Sequence, residues 1–143
     1  MTAMTELQVN VPRVGVGAMI VRGGQVLMAR RMSDQRPGWY GWIGGKLEFG
    51  ETLQQCARRE AREEAGIEIT NLRLLCISSI IVDDQHWIDV EFLADIVAGE
   101  PHAAAPDELT EWAWYPLDQL PGPIFEPAAL AIESYRTGNL VNE

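Results

Sequence analysis

The chain is short of cysteine, histidine and positive charge, and each shortage removes a class of function. Its two cysteines, Cys56 and Cys76, form neither a CxxC pair nor a zinc-binding spacing. Both have apolar neighbours and are expected to be buried free thiols, which suits a reducing cytoplasm. The two histidines, His86 and His102, are isolated and read as loop or surface residues rather than catalysts. Lysine and arginine total 11 against 21 aspartates and glutamates, a formal net charge of −10. A polynucleotide partner needs a basic face, because phosphate contacts dominate that affinity, so none is expected. A small phosphorylated ligand stays open if metal ions neutralise the site. No apolar run approaches the roughly 20 residues that span a bilayer. Residues 1–10 are polar and mixed, without the pattern of a signal peptide.

What is present suits one compact domain over residues 1–143, with 47% hydrophobic and 22% charged residues. Residues 1–12 read as a loose lead-in that Pro12 ends. Strands follow at about 14–21 and 25–30, joined at Arg22-Gly23-Gly24, a hairpin signal. Gly15 and Gly17 inside the first strand mark a close approach or a bulge. Glycines and Pro37 make residues 32–45 irregular, with Trp39, Tyr40 and Trp42 as loop anchors or cavity lining. A helix is expected over about 53–65, with Thr52 as N-cap, Gln55 completing a capping box and Gly66 as the stop. Strands at about 72–81 and 86–97 flank a turn at Asp83-Asp84-Gln85. The second alternates, with Trp87, Asp89 and Glu91 on one face and Ile88, Val90 and Phe92 on the other. A short strand ending at Pro116 and a helix over 127–136 complete an α+β or mixed α/β order.

Between Gly45 and Ile67 the acidic residues Glu48, Glu51, Glu60, Glu63 and Glu64 crowd one helix and its lead-in. At roughly 100° per residue, Leu53, Cys56, Ala57, Ala61 and Ala65 share one side. Glu60 and Glu64, one turn apart, fall inside that apolar arc, and Glu63 lies at its edge. Carboxylates stacked at i and i+4 repel, and burying them raises their pKa. A divalent cation removes the conflict, and oxygen ligands alone suit Mg²⁺ or Mn²⁺ better than zinc. The plain alternative is a helix laced with Arg–Glu pairs.

The spacing is decisive: Gly45, five residues, Glu51, seven residues, then Arg59-Glu60-Ala61-Arg62-Glu63-Glu64-Ala65-Gly66-Ile67. This resembles the Nudix box at every fixed position, over residues 45–67. The resemblance extends over about 13–136, including GVGAMIV and EWAWYPLDQLP. It departs at Ile43, where many relatives carry a proline before the two glycines.

The resemblance implies an α/β/α sandwich with a central mixed β-sheet, a loop–helix–loop catalytic motif and Mg²⁺-dependent hydrolysis of a nucleoside diphosphate linkage. It implies Glu60 and Glu64 as the main metal ligands, joined by Glu63 and the Gly45 carbonyl. Arg59 would orient a neighbouring glutamate, and Glu51 would serve the structure. The general base varies across the family, so Glu60, Glu63 and an outside acid, Asp107 or Glu108, all stand as candidates. GGKLEFGET and HWIDVEF look most like the MutT-like nucleoside triphosphate pyrophosphatases, which release the monophosphate and pyrophosphate. Arg31 then stands where relatives hold phosphate. Trp87 and Asp89 are expected to line a base pocket that Phe125 closes. The partner is a nucleotide, with dimerisation expected by analogy alone. Hydrolysis of a nucleotide sugar or dinucleoside polyphosphate, or nucleotide sensing without turnover, are the competing readings.

Overall fold

The computed structural model describes residues 11–143; the lead-in expected at the N-terminus lies almost wholly outside them. Ten elements follow in order: β1 (Arg13–Arg22), β2 (Gln25–Arg31), β3 (Tyr40–Gly41), β4 (Ile43–Lys46), α1 (Leu53–Ala65), β5 (Glu68–Val82), β6 (Gln85–Ala98), β7 (Leu109–Pro116), α2 (Glu126–Thr137) and β8 (Val141–Asn142). The sheet runs β3-β2-β1-β6-β5-β8, with β4 added on β1 and β7 on β2. It is mixed: β1 runs parallel to β6, and β5 parallel to β8, while the other pairs are antiparallel. Among the described residues no helix is long and apolar enough to cross a membrane.

Alternation divides β1 between two layers. Val16, Ala18 and Ile20 pack with Ala57, Ala61, Ala65, Val90 and Phe92 under α1. Met19 packs on the opposite face with Cys76 and with Ala128, Ala131 and Ile132 of α2. Both cysteines are buried and free, as expected. The expected hairpin turn is present: Gly23 and Gly24 both take positive φ, 58° and 76°, which a tight two-residue turn demands.

Helix α1 begins and ends as its sequence implies. Thr52 Oγ1 accepts from the Gln55 N–H at 3.1 Å, and Gln55 Oε1 accepts from the Thr52 N–H at 2.8 Å. Gly66 closes the helix at φ 66°, in the left-handed region. Cys56, Ala57, Glu60, Ala61, Glu64 and Ala65 are its buried residues. Leu53 departs from the wheel: in the first turn of the helix it is 38% exposed.

Three further expectations need correction. Residues 32–45 are not wholly irregular, since β3 and β4 lie within or across their end. Gly44 and Gly45 pair with Gly17 and Val16 of β1, so these glycines serve strand pairing rather than a turn. Their lack of side chains lets the backbones close: a Cβ on Gly44 would meet Val16 O at 3.2 Å. Strand β5 starts at Glu68, earlier than expected, and absorbs the misfit through register shifts between Glu68 and Ile69, Thr70 and Arg73, and Leu74 and Cys76. The C-terminal end forms β8 against Ile77 and Ser78. Gly15 and Gly17, by contrast, show the expected close approach without a bulge, because the β1–β6 register is unbroken from Arg13 to Ile20.

Candidate active site

Two hollows meet at the β4–α1 junction. The first is lined by Gly44, Gly45, Lys46, Glu60, Glu63, Glu64, Ala105, Asp107 and Glu108. The second is a cleft of about 280 Å³ on the α2 side of the sheet. Its walls include Arg31, Trp42, Ile80, Trp87, Asp89, Glu91 and Phe125, and it shares Gly44, Gly45, Lys46, Glu64 and Glu108 with the first. A polar, acidic mouth thus opens into a deeper and more aromatic chamber.

The acidic mouth is built by α1 and β4. Glu60 and Glu64 are only 8% and 7% exposed, so the helix buries both carboxyls. Glu64 Oε1 accepts from the Gly44 N–H at 2.8 Å. Its carboxyl is pushed up to about 9, first by desolvation and then by the charge of Glu60. Burial raises Glu60 too, opposed by the adjacent Arg59 guanidinium. Gly45 makes room for this arrangement: a Cβ there would stand 2.4 Å from Glu60 Cδ.

Arg59 lines neither hollow and acts as a buckle behind them. Its Nε and Nη2 donate to the two Glu51 oxygens at 2.7 and 3.0 Å. Nη1 donates to Glu60 and, at 3.2 Å, to Glu63. Nη2 also reaches the Lys46 carbonyl at 3.2 Å, tying the helix to β4. The bond from Arg59, followed by the Glu48 N–H, holds Glu51 down at about 2. A depressed carboxyl adds stability above its unfolded value and loses it as pH falls from about 4.5 to about 2. Wild type should therefore lose more thermal stability across that interval than Glu51→Gln, as scanning calorimetry at stepped pH will read. Parallel curves for the two proteins would remove Glu51 from this role.

The donor set fits a hard divalent cation: carboxylates and a backbone carbonyl, with neither imidazole nor thiolate. Two neighbouring buried carboxyls, both raised by desolvation, are the frustration such an ion relieves. Among the described residues, however, no three such groups already converge as ligands. Glu60 and Glu63 are turned onto Arg59, and Glu63 is largely exposed. Each meets Arg59 through one oxygen, Glu60 Oε1 and Glu63 Oε2, so the guanidinium would compete with an ion for both. Asp107 and Glu108 are exposed at the mouth. The β2–β7 pairing of Arg31 with Leu109, and the Met32 N–H donating to Glu108 O at 2.9 Å, set Glu108 beside Arg31.

In the cleft, Arg31 lies with its guanidinium 3.6 Å from the Phe125 ring centroid. It donates from Nε to Gln35 O at 3.1 Å and from Nη2 to Ser33 Oγ at 3.3 Å. Trp87 Nε1 donates to Gln85 Oε1 at 2.9 Å. Asp89 and Glu91 face the same chamber from β6, opposite Gly15 and Gly17 in register. Trp42 lines the cleft, one of the two places its sequence reading allowed, whereas Arg36 was not singled out from sequence. Trp42 donates from Nε1 to Glu91 Oε1 at 2.6 Å. Arg36 joins Glu126 at 2.7 Å to Asp83 at 2.9 Å, clasping the rim. The usable signal for the first was the pairing of alternate glycines in β1 with alternate carboxylates in β6. The clasp has none, because it joins residues far apart in sequence. His86 contacts Ser79 Oγ, and His102 the Glu100 carbonyl; neither lines the hollows.

The NUDIX domain model matches residues 11–135. A crystal structure of a MutT NUDIX hydrolase from Burkholderia pseudomallei is 36% identical, with a TM-score of 0.84, covering 87% of this chain and 98% of that one. The NAD-capped RNA hydrolase NudC of Pseudomonas aeruginosa is 38% identical over 103 residues, 72% of this chain and 36% of that protein. The oxidized purine nucleoside triphosphate hydrolase of Danio rerio is 33% identical over 105 residues, 72% of this chain and 65% of that protein. The chain thus spans well under half the length of the NAD-capped RNA hydrolases it matches, 43% for that of Chromobacterium violaceum.

Proposed function

The chain belongs to the NUDIX domain family, and on that premise we propose that it hydrolyses a nucleoside triphosphate to the monophosphate and pyrophosphate with Mg²⁺, or Mn²⁺, as cofactor. The observation that carries this reading is the continuity of the two hollows through Gly44, Gly45 and Glu64. A polyphosphate can lie in the acidic mouth while its nucleoside enters the chamber.

Glu60, Glu64, Glu63 and the Gly45 carbonyl would hold the ion. When bound, Mg²⁺ neutralises charge on the phosphate oxygens and lowers the pKa of an attacking water. Arg59 keeps Glu60 and Glu63 within reach of the mouth. Glu63, Glu60, Asp107 and Glu108 are the acceptors available for the proton of that water. Arg31 supplies positive charge to the phosphates at the junction of the two hollows. Trp87, Asp89 and Phe125 contact the base.

A second reading is favoured by the identity to the NAD-capped RNA hydrolases. In it, the scissile pyrophosphate joins two nucleosides. The net charge of −10 weighs against a long RNA, so a free dinucleotide is the better form of it. A mass-spectrometric assay with Mg²⁺ separates the two. The panel holds the eight common nucleoside triphosphates, NAD, ADP-ribose and a diadenosine polyphosphate. Monophosphate plus pyrophosphate from triphosphates is expected. Preferential cleavage of NAD selects the second reading. No Mg²⁺-dependent turnover at all rejects both and leaves a nucleotide-binding role. Glu63→Gln, at an exposed position, should lower turnover without changing the thermal midpoint.

A further inference from the structure

We infer that Asp89 and Glu91 form a pair that selects nucleobases bearing an exocyclic amino group, with Asp89 as acceptor and Glu91 as its positioning residue. This rests on the proposed nucleotide hydrolysis and adds which bases the chamber admits.

The pair is built into the middle of the sheet, not onto its rim. Asp89 is 6% exposed and Glu91 2%. Residues on β1 make room for them: a Cβ on Gly17 would lie 2.0 Å from Glu91 Oε2, and one on Gly15 would lie 3.3 Å from Asp89 Oδ1. The Trp42 indole N–H fixes Glu91 in place. Asp89 is different: its Oδ2 is buried without a hydrogen-bond partner among the described residues. Buried acceptors are almost always paired, and an orphan costs about 1–3 kcal/mol. Asp89 lines the chamber, and an unsatisfied acceptor recessed in its wall is the feature a ligand donor completes.

The donor is narrowed by the surroundings. Asp89 and Glu91 line the chamber and not the acidic mouth, so this is not the cation site. Of the cations that line the chamber, Arg31 is already engaged by Ser33, Gln35 and the Phe125 ring, and Arg36 by Glu126 and Asp83. A flat base entering between Trp87 and Phe125 presents its edge to the floor. An exocyclic amine projects beyond the ring and reaches a recessed acceptor that ring N–H groups do not. Burial raises both carboxyls, and the neighbouring charge of Asp89 raises Glu91 further.

The test uses triphosphate pairs with and without the amine: dGTP against dITP, dATP against the triphosphate of purine deoxyriboside, and dCTP against dUTP, in which a carbonyl and a ring N–H replace the amine. We expect kcat/KM to favour the amino member by about thirtyfold or more in at least one pair. Ratios within threefold in every pair overturn the inference while leaving triphosphate hydrolysis intact, and would mean that water satisfies Asp89. If no triphosphate is turned over, the functional reading fails, and the same ratios are read as dissociation constants by calorimetry. Asp89→Asn should collapse the preference. Glu91→Gln can still accept from Trp42 and donate to Asp89, so it should keep most of the preference. Glu91→Leu should lose it, with the loss falling on KM for the amino substrate. Equal damage by Glu91→Gln and Glu91→Leu would reduce Glu91 to a structural residue. Should Glu91→Leu fail to fold, the wild-type ratios and Glu91→Gln still decide.

Discussion

Glu64→Gln should lower kcat/KM by about a thousandfold and, in chelator at pH 8, make the protein more stable than wild type. The two effects share one cause. Glu64 is 7% exposed, beside buried Glu60, and its carboxyl is raised to about 9. A raised carboxyl adds stability that is fully present below its unfolded value near 4.5 and is lost as pH rises towards 9. Glutamine keeps the acceptor for the Gly44 N–H and carries no titration. The stability gap should be near zero at pH 4.5 and widen by at most about 1.4 kcal/mol per pH unit. At a few degrees of midpoint per kcal/mol, the gap is readable by calorimetry. Added Mg²⁺ should stabilise wild type and leave the variant unmoved. The activity loss, about 4 kcal/mol of barrier, is that of a removed metal ligand. A variant no more stable than wild type at pH 8 would mean that Glu64 is ionised and already compensated.

The largest stability effect should come from Gly17→Ala. A Cβ at this position would lie 2.0 Å from Glu91 Oε2 and 2.7 Å from Cδ, far inside contact distance. Glu91 is 2% exposed and held by Trp42, so displacing its carboxyl costs that buried hydrogen bond. Either β1 moves from β6 or the indole–carboxyl bond breaks. We expect a loss of about 3 kcal/mol or more by chemical denaturation. In Gly17→Ala/Glu91→Ala the new methyl occupies the space vacated by the carboxyl. The double variant should therefore be more stable than the sum of the single changes by about 2 kcal/mol. Simple additivity would show that the glycine matters for another reason.

Local signals in the chain were read well and long-range ones poorly, for physical reasons. Thr52, Gln55 and Gly66 mark the ends of α1 within its own turns, so its limits were legible. The inward aim of Glu60 and Glu64 followed from a 3.6-residue period against three alanines. Strand β4 was hidden because Gly44 and Gly45 mimic a turn until Val16 and Gly17 are seen beside them. Strand β8 has two residues and exists only through β5. One of the shifts along β5, between Thr70 and Arg73, contains Asn71 at φ 53°, which pattern alone does not announce. The chamber residues Arg31, Trp87, Asp89 and Phe125 do gather around one cleft. Trp42 read as a loop anchor or cavity lining and does line the cleft, but its bond to Glu91 was not legible, because the two lie 49 positions apart.

Arg59 gives the acidic helix a resident positive charge that no chelator can strip. Unlike a zinc finger, whose fold is the price of its metal, this element keeps its shape through a covalent part of the chain. In the proposed metal site, cation exchange would then be a matter of side-chain adjustment, with Glu60 and Glu63 contested between the guanidinium and a divalent ion. Chelation should silence turnover at once while the far-ultraviolet circular dichroism stays unchanged, and restoring Mg²⁺ should recover activity without a folding lag.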